Sequence, residues 1–210
     1  MDLVQIEKLD GILLDVDGTL WDSTERVAES YNASIEKHSD TGVKVNGEGL
    51  KKLFGKPMDE ICSAVFPMLP KDEQMKLGEY CFLEENEWLK DHPVPLFDHV
   101  YETLEQLSKK VPLFIVSNCQ QGYIEILLDT TGIGPFIKGH LCYGDTGTSK
   151  GKTIRTLMEQ YNLKDVIYVG DTQGDADACK EADVPFVFAT YGFGEVSDAG
   201  QRIDDIRDLL

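Results

Sequence analysis

Asp15 and Asp17, one residue apart, follow the apolar run Gly11-Ile12-Leu13-Leu14 and precede Gly18-Thr19-Leu20. A third carboxylate, Asp171, ends a second such run, Val166-Ile167-Tyr168-Val169-Gly170, with Asp175 four residues on. Brought together, these acids concentrate negative charge at great cost unless a cation sits between them. Oxygen ligands with room for water and phosphate indicate Mg²⁺. Ser117 and Asn118, after Leu113-Phe114-Ile115-Val116, are neutral donors suited to a phosphoryl oxygen. Lys150, after Gly147-Thr148-Ser149, offers an ammonium for the same anion. Taken singly, each has an ordinary reading. Asp and Gly make polar turns, Ser and Asn cap helices, a loop lysine is solvated, and Asp175 suits a helix N-terminus. A calcium loop of the EF-hand kind fails, because its later ligands, its glycine and its preceding helix are missing.

The positions of these groups are set by the elements that deliver them. Short apolar runs bounded by glycine fit strands of a parallel sheet covered on both faces, and such sheets bind ligands beyond the strands' carboxyl ends. Side chains at i and i+2 of a strand point the same way, so Asp15 and Asp17 are expected to face one ligand, with Gly18 turning the chain. Residues 22–38 then read as an amphipathic helix capped by Asp22 or Ser23, and 41–49 as a loop. Further helical stretches at 50–54, 58–66 and 71–89 are punctuated by Gly55, Pro57, Pro67 and Pro70. The prolines of 91–95 mark a linker.

Beyond it helices at 100–109, 123–131, 151–161 and 176–182 alternate with strands at 112–117, 139–143, 166–170 and 186–189. This alternation predicts an α/β, doubly wound, mainly parallel Rossmann-like sheet with helices on both faces. The core is expected from residues 1–20 and 96–210, with 21–95 inserted as an all-helical cap.

With 210 residues and 41% hydrophobic content the chain supports a sizeable core and is not a disordered sequence. A net charge of −18 argues against a nucleic-acid surface. It also means that an anionic substrate needs local reversal of the potential, and a metal supplies it. Five scattered cysteines without a Cys-x-x-Cys pair fit a reduced compartment. With neither a leader-like start nor an apolar run long enough to span a membrane, a soluble cytoplasmic protein is expected, a monomer or weak homodimer without a membrane partner.

In their order along the chain, Asp15-Val16-Asp17-Gly18-Thr19-Leu20, Ser117-Asn118, Lys150, and Gly170-Asp171 with Asp175 resemble the motifs of the haloacid dehalogenase superfamily of phosphohydrolases. The insert resembles that family's small helical cap, as in phosphoglycolate phosphatases and β-phosphoglucomutases. The resemblance implies Asp15 as nucleophile and Asp17 as general acid/base. It implies Ser117, Asn118 and Lys150 as phosphate binders, and Mg²⁺ on Asp15, the Asp17 carbonyl and Asp171, with Asp175 supporting the metal. The expected activity is Mg²⁺-dependent hydrolysis of a small phosphorylated metabolite through an aspartyl-phosphate, of the phosphoglycolate phosphatase kind. A phosphomutase is the alternative.

Asp17 counts against dehalogenation, and the motif order counts against a non-catalytic receiver domain. One departure stands out: relatives with this cap commonly carry proline after the motif lysine, whereas Gly151 and then Lys152 follow Lys150. Lys152 is therefore a rival for the role. Glu25, Lys56 and Trp88 are the insert's candidates for touching substrate.

Overall fold

The computed structural model describes residues 6–210. Residues 1–5, which begin the expected first core segment and carry part of the expectation that no leader is present, lie outside the described residues. Strand β1 (Gly11–Leu14) is buried at every position. Its alternating side chains serve two layers. Ile12 and Leu14 pack with Ile115, Ile167 and Val187 on one face, while Leu13 packs with Phe114, Tyr168 and Leu157 on the other. An apolar side chain so enclosed contributes about 1.5–3 kcal/mol, which holds a four-residue strand in place despite its length.

Strands β2 (Leu113–Ser117), β3 (Ile137–Cys142), β4 (Val166–Gly170), β5 (Phe186–Ala189) and β6 (Gln201–Ile203) complete a sheet of order β3-β2-β1-β4-β5-β6. Every neighbouring pair is parallel. The chain builds outward from β1 on one side and then restarts at β4 on the other, so the strand order reverses beside β1, where such sheets form a crevice. Helices α8 (Lys150–Tyr161) and α9 (Gln173–Ala182) cover the Leu13 face. On the other face lie α5 (Val100–Leu107) and α6 (Tyr123–Thr131).

Between β1 and α5 come α1 (Thr24–His38), α2 (Gly47–Lys51), α3 (Met58–Val65) and α4 (Lys71–Asp91). Helices α1 and α4 pack together, with Tyr31 and Phe82 ring centroids 6.1 Å apart. The two ends of this helical segment run side by side: Trp21 bridges Leu96, and Phe97 N–H donates to the Leu20 carbonyl at 2.9 Å. No helix among the described residues is long and apolar enough to cross a membrane.

The doubly wound parallel sheet agrees with the sequence reading, and several boundaries move. β3 starts at Ile137 rather than 139, because this edge strand is only partly buried and lacks the apolar run that marks the others. Tyr143 leaves it for the single-turn α7 (Tyr143–Thr146). Helix α2 begins at Gly47, inside the expected loop, where the Asn46 side chain accepts from Gly49 N–H at 2.8 Å. Helix α9 begins at Gln173, three residues early, because Thr172 and Asp175 form a reciprocal capping box. The three-residue β6 carries no strand pattern that the sequence reading recognised.

Candidate active site

Strands β1, β2 and β4 lie side by side with their carboxyl ends together. Asp15 continues the β1 ladder by donating its N–H to the Val169 carbonyl at 2.9 Å, and the residue is only 2% exposed. The chain then turns sharply: Leu20 N–H reaches the Val16 carbonyl at 2.8 Å, with Gly18 in the left-handed region at φ 82°. A side chain at residue 18 would collide with the Asp171 carboxylate, so glycine is required for this approach as well as for the turn.

Asp171 is fully buried at the end of β4. One carboxylate oxygen accepts from Phe193 N–H at 2.7 Å, while Oδ1 has no hydrogen-bond partner. Asp175, in the first turn of α9, accepts from the Thr172 N–H at 3.0 Å and hydroxyl at 2.7 Å. Asp15, Asp171 and Asp175 can each present an oxygen within 4.8 Å of the others. Into this trio projects the Lys150 ammonium, 3.0 Å from Asp15 Oδ1 and 2.6 Å from Asp175 Oδ1.

Lys150 is the first residue of α8, where the sequence reading had it just before the helix. Ser149 caps the helix, its hydroxyl accepting from Lys152 N–H, and so draws Lys150 into the first turn. Lys150 is buried and Lys152 exposed, so of the two rivals only Lys150 reaches the acidic cluster.

Burial drives the Asp171 and Asp15 carboxyls well above their ordinary range, and the charge of Asp175 adds to the rise. Burial alone would lower the Lys150 ammonium, but the Asp15 and Asp175 carboxylates beside it hold it above its usual value. Three acids facing one ammonium leave uncompensated negative charge, and the orphaned Asp171 Oδ1 is an oxygen awaiting a partner. An all-oxygen donor set of this charge fits a hard divalent cation.

Asp17 is placed differently. It lies beyond the end of β1 at Leu14, in the turn, where its own set of donors holds it. Asp17 Oδ1 accepts from Trp21 Nε1 at 2.9 Å, Ser23 Oγ at 2.8 Å and the Tyr123 hydroxyl at 2.8 Å. Burial pushes its acid up to about 6, and these three donors limit the rise. Engaged in this way, Ser23 does not cap α1. Asp22 accepts from Thr24 N–H at 3.1 Å in its place.

Asp15 and Asp17 line one cleft together with Ser117 and Asn118 from the end of β2. Asn118 Nδ2 donates to the Gly55 carbonyl at 2.7 Å, tying the end of β2 to the helical segment.

A family model described as haloacid dehalogenase-like hydrolase matches residues 12–189. The chain belongs to this family. It is 25% identical over 209 residues to pyrophosphatase PpaX of Oceanobacillus iheyensis, a match covering 95% of this chain and 94% of that protein. To the phosphoglycolate phosphatase of Escherichia coli it is 25% identical over 240 aligned positions, covering 98% and 93%. A solved haloacid dehalogenase-like family hydrolase from Streptococcus pneumoniae superposes with a TM-score of 0.81 at 19% identity, covering 96% of each chain.

The helical segment of this haloacid dehalogenase-like hydrolase brings residues to the cleft that the sequence reading did not single out. Tyr31 from α1 and Glu85 from α4 line it, as does Gln120 after β2. Glu85 is 3% exposed, and its Oε2 has no hydrogen-bond partner. Burial pushes its acid up to about 8; Gln120 and Tyr31 favour the charged form, and the charge of Asp17 opposes it. Of the three insert residues expected at the substrate, Lys56 lines the cleft from an exposed position. Glu25 is exposed and packs against Gly47, and Trp88 stacks on His92 with centroids 4.0 Å apart. Neither of these two lines the cleft.

Proposed function

We propose that this hydrolase removes phosphate from monoesters of small alcohols, passing the phosphoryl group to Asp15 and then to water. The observation that carries this reading is the Lys150 ammonium 3.0 Å from a buried Asp15 carboxylate, within an acidic trio. Such an ammonium holds the carboxylate in place and stands ready for the phosphoryl oxygens. Asp15, the Asp17 carbonyl and Asp171 would hold Mg²⁺, with Asp175 behind them. When bound, the cation supplies positive charge that offsets the repulsion between carboxylate and phosphate.

Asp15 attacks phosphorus, and the bond to the alcohol oxygen breaks. Asp17 gives that oxygen its proton and afterwards takes one from the attacking water. Its three donors fix the carboxyl's direction, and an acid held near neutrality serves both tasks. Ser117 and Asn118 bind phosphoryl oxygens once Asn118 is released from Gly55. Residues 1–20 and 96–210 act as the catalytic core and 21–95 as a lid, whose paired ends at Trp21 and Leu96 form the hinge. The named relatives support a small phosphorylated metabolite as substrate, and phosphoglycolate is one candidate.

The test is hydrolysis of p-nitrophenyl phosphate with Mg²⁺, after chelation, and after Mg²⁺ is restored. Activity lost and regained supports the reading; full activity after exhaustive chelation overturns the metal assignment.

A further inference from the structure

Glu85 is an acid in an unusual position. It sits mid-helix on the insert, is 3% exposed, and lines the same cleft as Asp15 and Asp17. Its Oε2 is buried without a hydrogen-bond partner, and no ion pair to it is present among the described residues. An acid kept only for packing would be better replaced by Leu or Gln, because a buried acceptor without a donor costs stability. The Gln120 and Tyr31 side chains beside it favour its ionised form, yet neither meets Oε2 in hydrogen-bond geometry, so a group entering the cleft can supply that donor.

Resting on the phosphatase reading above, we infer that Glu85 reads the leaving alcohol by accepting a hydrogen bond from a hydroxyl or ammonium group beyond its ester oxygen. The preferred substrate is then a phosphate ester whose alcohol carries such a donor. An alcohol bearing a carboxylate offers Glu85 Oε2 no donor and opposes its ionisation. The Lys56 ammonium, on an exposed residue at the rim, is solvated and does not reverse this.

The test compares kcat/KM of the full chain with Mg²⁺ on four matched esters: hydroxyethyl, aminoethyl and ethyl phosphate, and phosphoglycolate. The wild type is expected to favour a donor-bearing ester over both ethyl phosphate and phosphoglycolate by roughly 10-fold or more, since a buried acceptor discriminates against ligands that leave it unpaired. Glu85→Leu should bring that ratio to within about threefold of unity. Glu85→Gln separates the two donors, because an amide still accepts from a hydroxyl but cannot ionise beside an ammonium. Each ratio is internal to one preparation and does not depend on how much of a variant folds. A wild-type preference for phosphoglycolate, or ratios unchanged in Glu85→Leu, would overturn the inference while p-nitrophenyl phosphate hydrolysis left the phosphatase reading standing. A wild type inert towards p-nitrophenyl phosphate as well would overturn both.

Discussion

Asp15 and Glu85 are acids of similar burial, 2% and 3% exposed, that line one cleft, one from the end of β1 and the other from α4. The core surrounds Asp15 with a backbone tie to β4, the Lys150 ammonium and two further acids that share a cation-sized space. The insert gives Glu85 no cation, and one of its oxygens has no donor. The core therefore offsets part of its own charge with Lys150, and it does so whatever the substrate. The insert leaves a polar group to be completed by one kind of substrate. If Asp15 carries the reaction and Glu85 reads the substrate, the two tasks are separated in space, and substitutions on the two sides should fail in different ways.

The largest effect is expected from Asp15→Asn, which removes the proposed anionic nucleophile. Steady-state kcat should fall by about 10⁴-fold or more on any ester, as when other covalent nucleophiles are removed. A substrate-dependent loss would break the contrast between core and insert. Lys150→Ala should cost on the order of 10²–10³ in kcat, again on every ester, because it removes a charge aimed at the phosphoryl group. It also leaves buried acids unpaired, so Tm without metal should drop. Lys152→Ala should change neither measurably, since its side chain is exposed.

A smaller effect concerns pH. Asp171 and Glu85, raised to about 8, keep protons in the folded chain that the unfolded chain releases above its ordinary carboxylate pKa near 4. The unfolded state then binds fewer protons, so stability of the metal-free protein should fall as pH rises from about 4 to about 8 and level off above. Thermal melts in chelator across this range measure it. Added Mg²⁺ should raise Tm more at pH 8 than at pH 5, because only the ionised trio binds it. Glu85→Gln should weaken the pH slope without weakening the Mg²⁺ shift, which would place the two acids on opposite sides of the comparison.

The core was far more legible in the sequence than the insert's contribution. Gly11-Ile12-Leu13-Leu14 and Val166–Gly170 are apolar on both faces and end in acids, so strand, burial and site could be read together. Asp17 could be found by its spacing but not oriented. Its donors Ser23 and Tyr123 come from the first residues after the turn and from α6, a hundred positions away. Glu85 could not be found at all. It sits in Glu84-Glu85-Asn86-Glu87, where the local pattern is that of a solvated helix face, and only the packing of α4 against α1 and the loop after β2 turns residue 85 inward. Glu84 beside it pairs with Lys37 and His38 at the surface.

The central claim is that Asp15 receives the phosphoryl group, and the phosphoenzyme tests it directly. Asp17→Asn keeps the nucleophile and removes the proton carrier. An aryl phosphate, whose leaving group barely needs a proton, should still load Asp15, while release slows by about 10²–10⁴-fold. Rapid quench and peptide mass spectrometry should then locate one added phosphoryl group on Asp15. The same group found on residue 17 in the wild type, or still formed in Asp15→Asn, would contradict the account.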